Sequence, residues 1–133
     1  MSRRAVVVDS SAFAAILFGE ADGDQLLERL MSAPQRYVSA TSVLEASIVV
    51  ERRLGVAGTA ALDELLAALN AEIVPFDSVH IGWARRAFRK YGKSRHAAAL
   101  NFGDCVAYAT AKHLGLPLLF KGEDFPQTDI ESA

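Results

Sequence analysis

Cysteine is nearly absent from this 133-residue chain: Cys105 stands alone. One thiol excludes an intramolecular disulfide framework and suits a reducing compartment, so a cytoplasmic protein is expected. Histidine is scarce as well. His80, His96 and His113 show no ligand spacing, and no zinc ribbon can be built from them and one cysteine. No apolar run approaches the ~18 residues of a membrane helix, so no membrane partner is expected. Arg3 and Arg4 precede apolar residues as in a signal peptide, but Asp9, Ser10 and Ser11 split that run. A Gly-rich strand-to-helix turn is also missing, which removes P-loop and dinucleotide folds.

The last absence is regional. No acidic residue lies between Asp77 and Asp104, whereas Arg85, Arg86, Arg89, Lys90, Lys93 and Arg95 all do. That stretch carries +6 in a chain of net charge −2, leaving −8 for the remainder. Such a stretch serves either as a solvated helix face or as the contact for a polyanion.

What is present reads as one globular domain over residues 1–133, 51% apolar and 23% charged. Strand and helix signals alternate. Ala5-Val6-Val7-Val8 has the continuous β-branched character of a strand buried on both faces. Ser10 and Ser11 offer caps for a helix to Phe18, and a second helix runs from about Asp22 to Pro34. Tyr37-Val38 and Ile73-Val74 read as strands, and Thr41 to Gly55 as a helix carrying Val43, Leu44, Ile48 and Val49. A helix opening at Gly58-Thr59 carries Leu62, Leu65, Leu66 and Leu69, a core stripe or a dimer face. Asp77 or Ser78 caps a helix to Tyr91 with Val79, Trp83, Ala87 and Tyr91 inward, and Trp83 as a core anchor. A basic loop, a helix from Gly103-Asp104 to Gly115, a strand at Leu118 to Phe120 and a short edge strand at Thr128 to Ile130 complete the chain. The expected fold is a three-layer α/β/α sandwich around a short, mostly parallel sheet of four to five strands.

In such folds the functional crevice lies beyond the carboxyl ends of the strands. Asp9, Glu45, Asp104 and Asp124 all map to that edge. Each has a plainer role when taken alone: a helix cap, a helix-surface residue, a favourable charge at a helix start and a turn residue. Taken together, carboxylates gathered at one edge need a cation to offset their repulsion. An all-oxygen donor set selects Mg²⁺ or Mn²⁺ over zinc, with one ion or two. A bound water and a phosphate oxygen would complete phosphodiester hydrolysis, with the basic stretch holding a nucleic-acid backbone. Cys105 beside Asp104 reads as a packing residue.

Three segments carry a resemblance: Val-Val-Val-Asp9-Ser10-Ser11-Ala12, Ser42-Val43-Leu44-Glu45-Ala46, and Asn101-Phe102-Gly103-Asp104-Cys105. They resemble the PIN-domain ribonucleases. The tail Leu118-Leu119-Phe120-Lys121-Gly122-Glu123-Asp124-Phe125 narrows the likeness to the VapC toxins of type II toxin–antitoxin pairs. The resemblance covers essentially the whole chain. It implies a PIN fold and a Mg²⁺-dependent endoribonuclease, with Mn²⁺ able to substitute, that arrests translation by cutting tRNA or rRNA. It implies catalytic and metal-binding roles for Asp9, Glu45, Asp104 and Asp124, with Glu123 competing for the register of the fourth. Ser11 matches a small polar residue that supports the first Asp, Asn101 and Lys121 match residues near the site, and these three join Arg85, Arg89, Lys93 and Arg95 as the expected substrate-binding set. It further implies a homodimer bound by a VapB-type antitoxin in a heterotetramer or larger assembly.

Two other classes share parts of this pattern. A phospho-accepting receiver domain needs an acidic pair after its first strand and an acceptor Asp after a central one, and neither is present. A catalytically silent PIN module that binds only RNA or antitoxin is the remaining alternative.

Overall fold

The computed structural model describes residues 4–133. Its centre is a four-stranded sheet in which every pairing is parallel, ordered β3-β2-β1-β4. The strands are β1 (Val6–Val8), β2 (Arg36–Ser39), β3 (Glu72–Val74) and β4 (Leu118–Leu119). Because side chains alternate across a strand, Val6 and Val8 face one layer and Val7 the other, and all three are buried. Full burial of each valine contributes about 1.5–3 kcal/mol.

The first layer contains α1 (Ser10–Leu17), α2 (Gly23–Ser32), α3 (Ala40–Leu54) and α4 (Val56–Ala68). Phe13, Leu30, Val50 and Leu62 close its core over Val6 and Val8. The opposite layer, α5 (Ser78–Tyr91) and α6 (Phe102–Leu114), packs Ala87, Tyr91, Ala107 and Tyr108 over Val7 and Leu118. The Leu62, Leu66 and Leu69 stripe is buried in the first core and is therefore no dimer face.

Several expected details differ. The cap of α1 is Asp9, not Ser10 or Ser11, and α4 starts at Val56, directly after Gly55. No strand forms at 128–130. A 3₁₀ turn at Phe125–Gln127 precedes a segment that buries Ile130 against the sheet and pairs with it through an isolated bridge between Leu118 and Ser132. The inward face of α5 is His80, Ala87 and Tyr91 rather than Val79 and Trp83. Val79 is exposed, and Trp83 lies partly open with the Arg86 guanidinium 5.0 Å from its ring centre. His80 meets His113 edge-on at 4.8 Å, although 33 residues separate them in the chain. Burial lowers the pKa of His80, so it packs as a neutral ring. The helix α3 also turns Leu44 and Ile48 outward, its inner face being Ser42, Ala46 and Val50.

Candidate active site

Three of the four candidate carboxylates, Asp9, Asp104 and Asp124, stand at the starts of α1, α6 and the 3₁₀ turn, and Glu45 lies within α3. Asp9 follows β1 directly, and its Oδ2 accepts the Ser11 N–H at 3.0 Å to cap α1. Asp9 is only 3% exposed, and its Oδ1 has no hydrogen-bond partner. Burial drives this carboxyl from 3.8 up to about 7. The Ser11 hydrogen bonds pull it down, while the Asp104 and Glu45 carboxylates push it further up.

Asp104 is set by the start of α6. Its backbone N–H donates to Asn101 Oδ1 at 2.9 Å, and its Oδ2 accepts the Asn101 N–H at 3.0 Å, a reciprocal capping box. Burial again leads in raising its pKa, to about 6, against the opposing Asn101 bond, with Asp124 and Glu45 adding to the rise. Asp124 stands at the head of the 3₁₀ turn, exposed beside Asp104. Between the two adjacent acids it is therefore Asp124, not Glu123, that bears on Asp104. Glu45, in the second turn of α3, accepts the Ser10 hydroxyl at 2.8 Å through Oε1.

Two further residues, Ser10 and Gly103, shape this cluster. The Ser10 hydroxyl does not cap α1 but holds Glu45. At Gly103 the Glu45 carboxylate occupies the place where a Cβ would stand. A glycine inside the first turn of a helix costs roughly 1 kcal/mol relative to alanine, and that misfit was the available signal.

The remaining nominated residues fall into two groups. Ser11 Oγ accepts the Lys121 backbone N–H at 2.9 Å, tying α1 to the loop after β4, and Asn101 engages Asp104. The Lys121 ammonium is directed away, pairing with Glu20 at 3.0 Å and Asp22 at 3.3 Å. Arg85 and Arg89 on α5 and Arg95 in the following loop line a cleft against α6, while the exposed Lys93 lies outside that lining. None of the six cations of this stretch pairs with a carboxylate among the described residues. Cys105 is buried, and burial, followed by the Asp104 charge, pushes its thiol up to about 11, so it is no nucleophile at neutral pH.

Whether the cluster suits a cation can be read from its chemistry. Its donors are all carboxylate oxygens, one of them buried and without a partner, and two of its carboxyls are displaced upward by burial and mutual repulsion. A hard divalent ion would relieve both conditions. Among the described residues, no group of three or more His, Cys, Asp or Glu side chains is arranged to hold a metal ion. The fit is therefore one of donor chemistry: hard carboxylate oxygens, one of them buried and unpartnered, are what Mg²⁺ takes in small number while keeping waters.

The PIN domain family model matches residues 6–131. A "Ribonuclease VapC" of Mycolicibacterium smegmatis is 46% identical over 125 residues, covering 94% of this chain and 97% of that protein. The chain belongs to the VapC ribonucleases of the PIN-domain family. Ribonuclease VapC30 of Mycobacterium tuberculosis is a second relative of the VapC-type chain, 42% identical over 94% of this chain and 95% of its own length. Among solved structures, the sarcin–ricin loop-cleaving toxin VapC20 of Mycobacterium tuberculosis superposes with a TM-score of 0.79. It shares 18% identity and covers 96% of this chain and 98% of its own, a likeness of fold. VapBC2 of Rickettsia felis, solved on promoter DNA, shares the fold at a TM-score of 0.73 and 14% identity, with 96% of each chain covered. This VapC-type chain is a toxin ribonuclease.

Proposed function

We propose that this ribonuclease is a Mg²⁺-dependent endonuclease acting in the cytoplasm on structured RNA, tRNA or rRNA, and that the cut arrests translation. The observation that carries this reading is the meeting of Asp9, Glu45, Asp104 and Asp124 at one sheet edge, with Asp9 and Asp104 held above the ordinary carboxylate range. These four would hold the ion, Mn²⁺ serving as well as Mg²⁺. When bound, the ion offsets phosphate charge and makes a water nucleophilic near neutral pH.

The protein's own groups do the placing. Asp9 is fixed by the α1 cap and leaves Oδ1 for the site. Glu45 has Oε1 occupied by Ser10, which leaves Oε2 to orient the attacking water. Asn101 fixes Asp104, and Ser11 with the Lys121 N–H anchors the loop that presents Asp124. Asn101, Ser11 and Lys121 are positioning residues in this reading, while Arg85, Arg89, Lys93 and Arg95 contact the RNA. Attack by water on phosphorus, with the bond to O3′ breaking, yields a 5′-phosphate and a 3′-hydroxyl.

Purified protein should therefore cut RNA with Mg²⁺ or Mn²⁺, lose cleavage in EDTA, and produce 5′-phosphate ends. Equal cleavage in EDTA, or 2′,3′-cyclic phosphate products, contradicts the proposal. Replacing Arg85, Arg89 and Lys93 with alanine should weaken RNA binding. It should also reduce the slope of log affinity against log salt by about 0.7 per lost phosphate contact, roughly two for the triple variant. An unchanged slope would remove these residues from the RNA path.

The homodimer, and the VapB-type antitoxin that joins it in a heterotetramer or larger assembly, need apolar surface. Leu44 is 60% exposed and Val56 76%, with Ile48 and Leu54 also open along α3. That stripe begins at the neighbour of Glu45, so a chain seated on it reaches the carboxylates. The mutual influence of Asp9, Glu45, Asp104 and Asp124 supports the catalytic reading over a catalytically silent module.

A further inference from the structure

The basic stretch does more than present positive charge. Between α5 and α6 lies an open cleft of about 600 Å³, within the range of small-ligand sites. Its walls are mostly apolar, with Phe88 43% and Phe102 78% exposed beside Arg85, Arg89 and Arg95. The Arg95 guanidinium stands 5.0 Å from the centre of the Phe88 ring. Phe102 occupies the first position of α6, where an aromatic side chain satisfies no backbone group and buries little of its own surface. Phe102 and Cys105, both lining the cleft, flank Asp104 in a single helical turn.

We propose that this cleft receives one unpaired nucleobase of the RNA, adjacent to the phosphodiester that is cut. The inference rests on the ribonuclease reading above and adds a specificity subsite to it. The charge supports this occupant, since three arginines without carboxylate partners at the mouth of an aromatic cleft match a flat ring tethered to phosphates. An apolar partner would find the rim too charged, and a paired base would have its faces already stacked. Phe102 then stacks on the base while Arg85 and Arg89 hold its flanking phosphates. The target nucleotide must accordingly be single-stranded or extruded from its helix.

The test uses the full chain carrying Asp9→Asn, so that RNA is bound and not cut. The probe is a single-stranded oligouridine nonamer with one 2-aminopurine, whose fluorescence falls on stacking. Phe102→Leu should weaken binding about five- to fiftyfold and abolish the quench, with the salt slope unchanged. Phe102→Trp should restore both. Phe102→Leu binding and quenching like its parent overturns the subsite while leaving the nuclease intact, as RNA cleavage by the Asp9 protein would show. A shift of Phe102→Leu from dimer to monomer in light scattering overturns it too, by making the cleft a subunit interface. Failure of the parent to bind the oligonucleotide, together with failure of the Asp9 protein to cut RNA, overturns the ribonuclease reading itself.

Discussion

Asp9→Asn should abolish RNA cleavage and, in metal-free buffer at pH 8, raise the melting temperature of the protein. The loss of cleavage is expected to span two to four orders of magnitude, the range for removing a group that acts on the reacting atoms. The gain in stability follows from burial. Asp9 titrates near 7 in the folded protein against 3.8 as an ordinary carboxyl. Below about pH 4 both states hold the proton and the residue is neutral to stability. Between 4 and 7 the unfolded chain has released its proton while the folded one retains it, so stability falls as pH rises. Above 7 the penalty is complete, a few kcal/mol at most. Asparagine caps a helix as well as aspartate and carries no charge, so the Ser11 bond survives and the penalty does not. Thermal melts in EDTA at pH 5 and pH 8 should show an advantage for the variant that widens with pH by several degrees. Adding Mg²⁺ should stabilise the Asp9 protein more than the variant. A variant that is less stable at pH 8 than at pH 5, relative to its parent, would contradict the electrostatic account.

Gly103→Ala should separate activity from stability in the same direction. The space a Cβ would need is filled by the Glu45 carboxylate, the far end of a flexible side chain rather than backbone. The added methyl therefore displaces Glu45 and leaves the helices where they are. Alanine is the better helix former by roughly 1 kcal/mol, so the melting temperature should hold or rise. Cleavage should fall by about a hundredfold or more, because Glu45 leaves both its Ser10 hydrogen bond and its place beside Asp104. Wild-type cleavage by Gly103→Ala would show that Glu45 is not needed where it stands.

The carboxylate edge was legible because topology alone delivers it. A fully apolar strand followed by Asp9, and a helix start at Asp104, fall at the carboxyl end of a parallel sheet whatever the details of packing. Side-chain direction was harder. Val79 and Trp83 are apolar and periodic, yet α5 buries His80 instead, because a neutral imidazole against His113 packs as an apolar ring does. Leu44 and Ile48 are apolar yet face outward on α3, because hydropathy does not say which of two apolar stripes faces inward. Lys121 matched a position near the site, but its ammonium reaches Glu20 and Asp22, and only its backbone N–H serves Ser11. Gly103 stood out only as a glycine in the first turn of a helix, and its role, the room it leaves for a residue 58 positions earlier, shows only in the structure.

The central claim is that the four carboxylates cut RNA in the cell. Induced expression of the Asp9 protein and of Asp9→Asn, followed by mapping of the 5′ ends of total RNA after arrest, tests it most directly. The account predicts new 5′-phosphate ends at a few defined positions in tRNA or rRNA, with growth arrest, both absent in the variant. Arrest by both proteins alike, or no new ends from either, would contradict it.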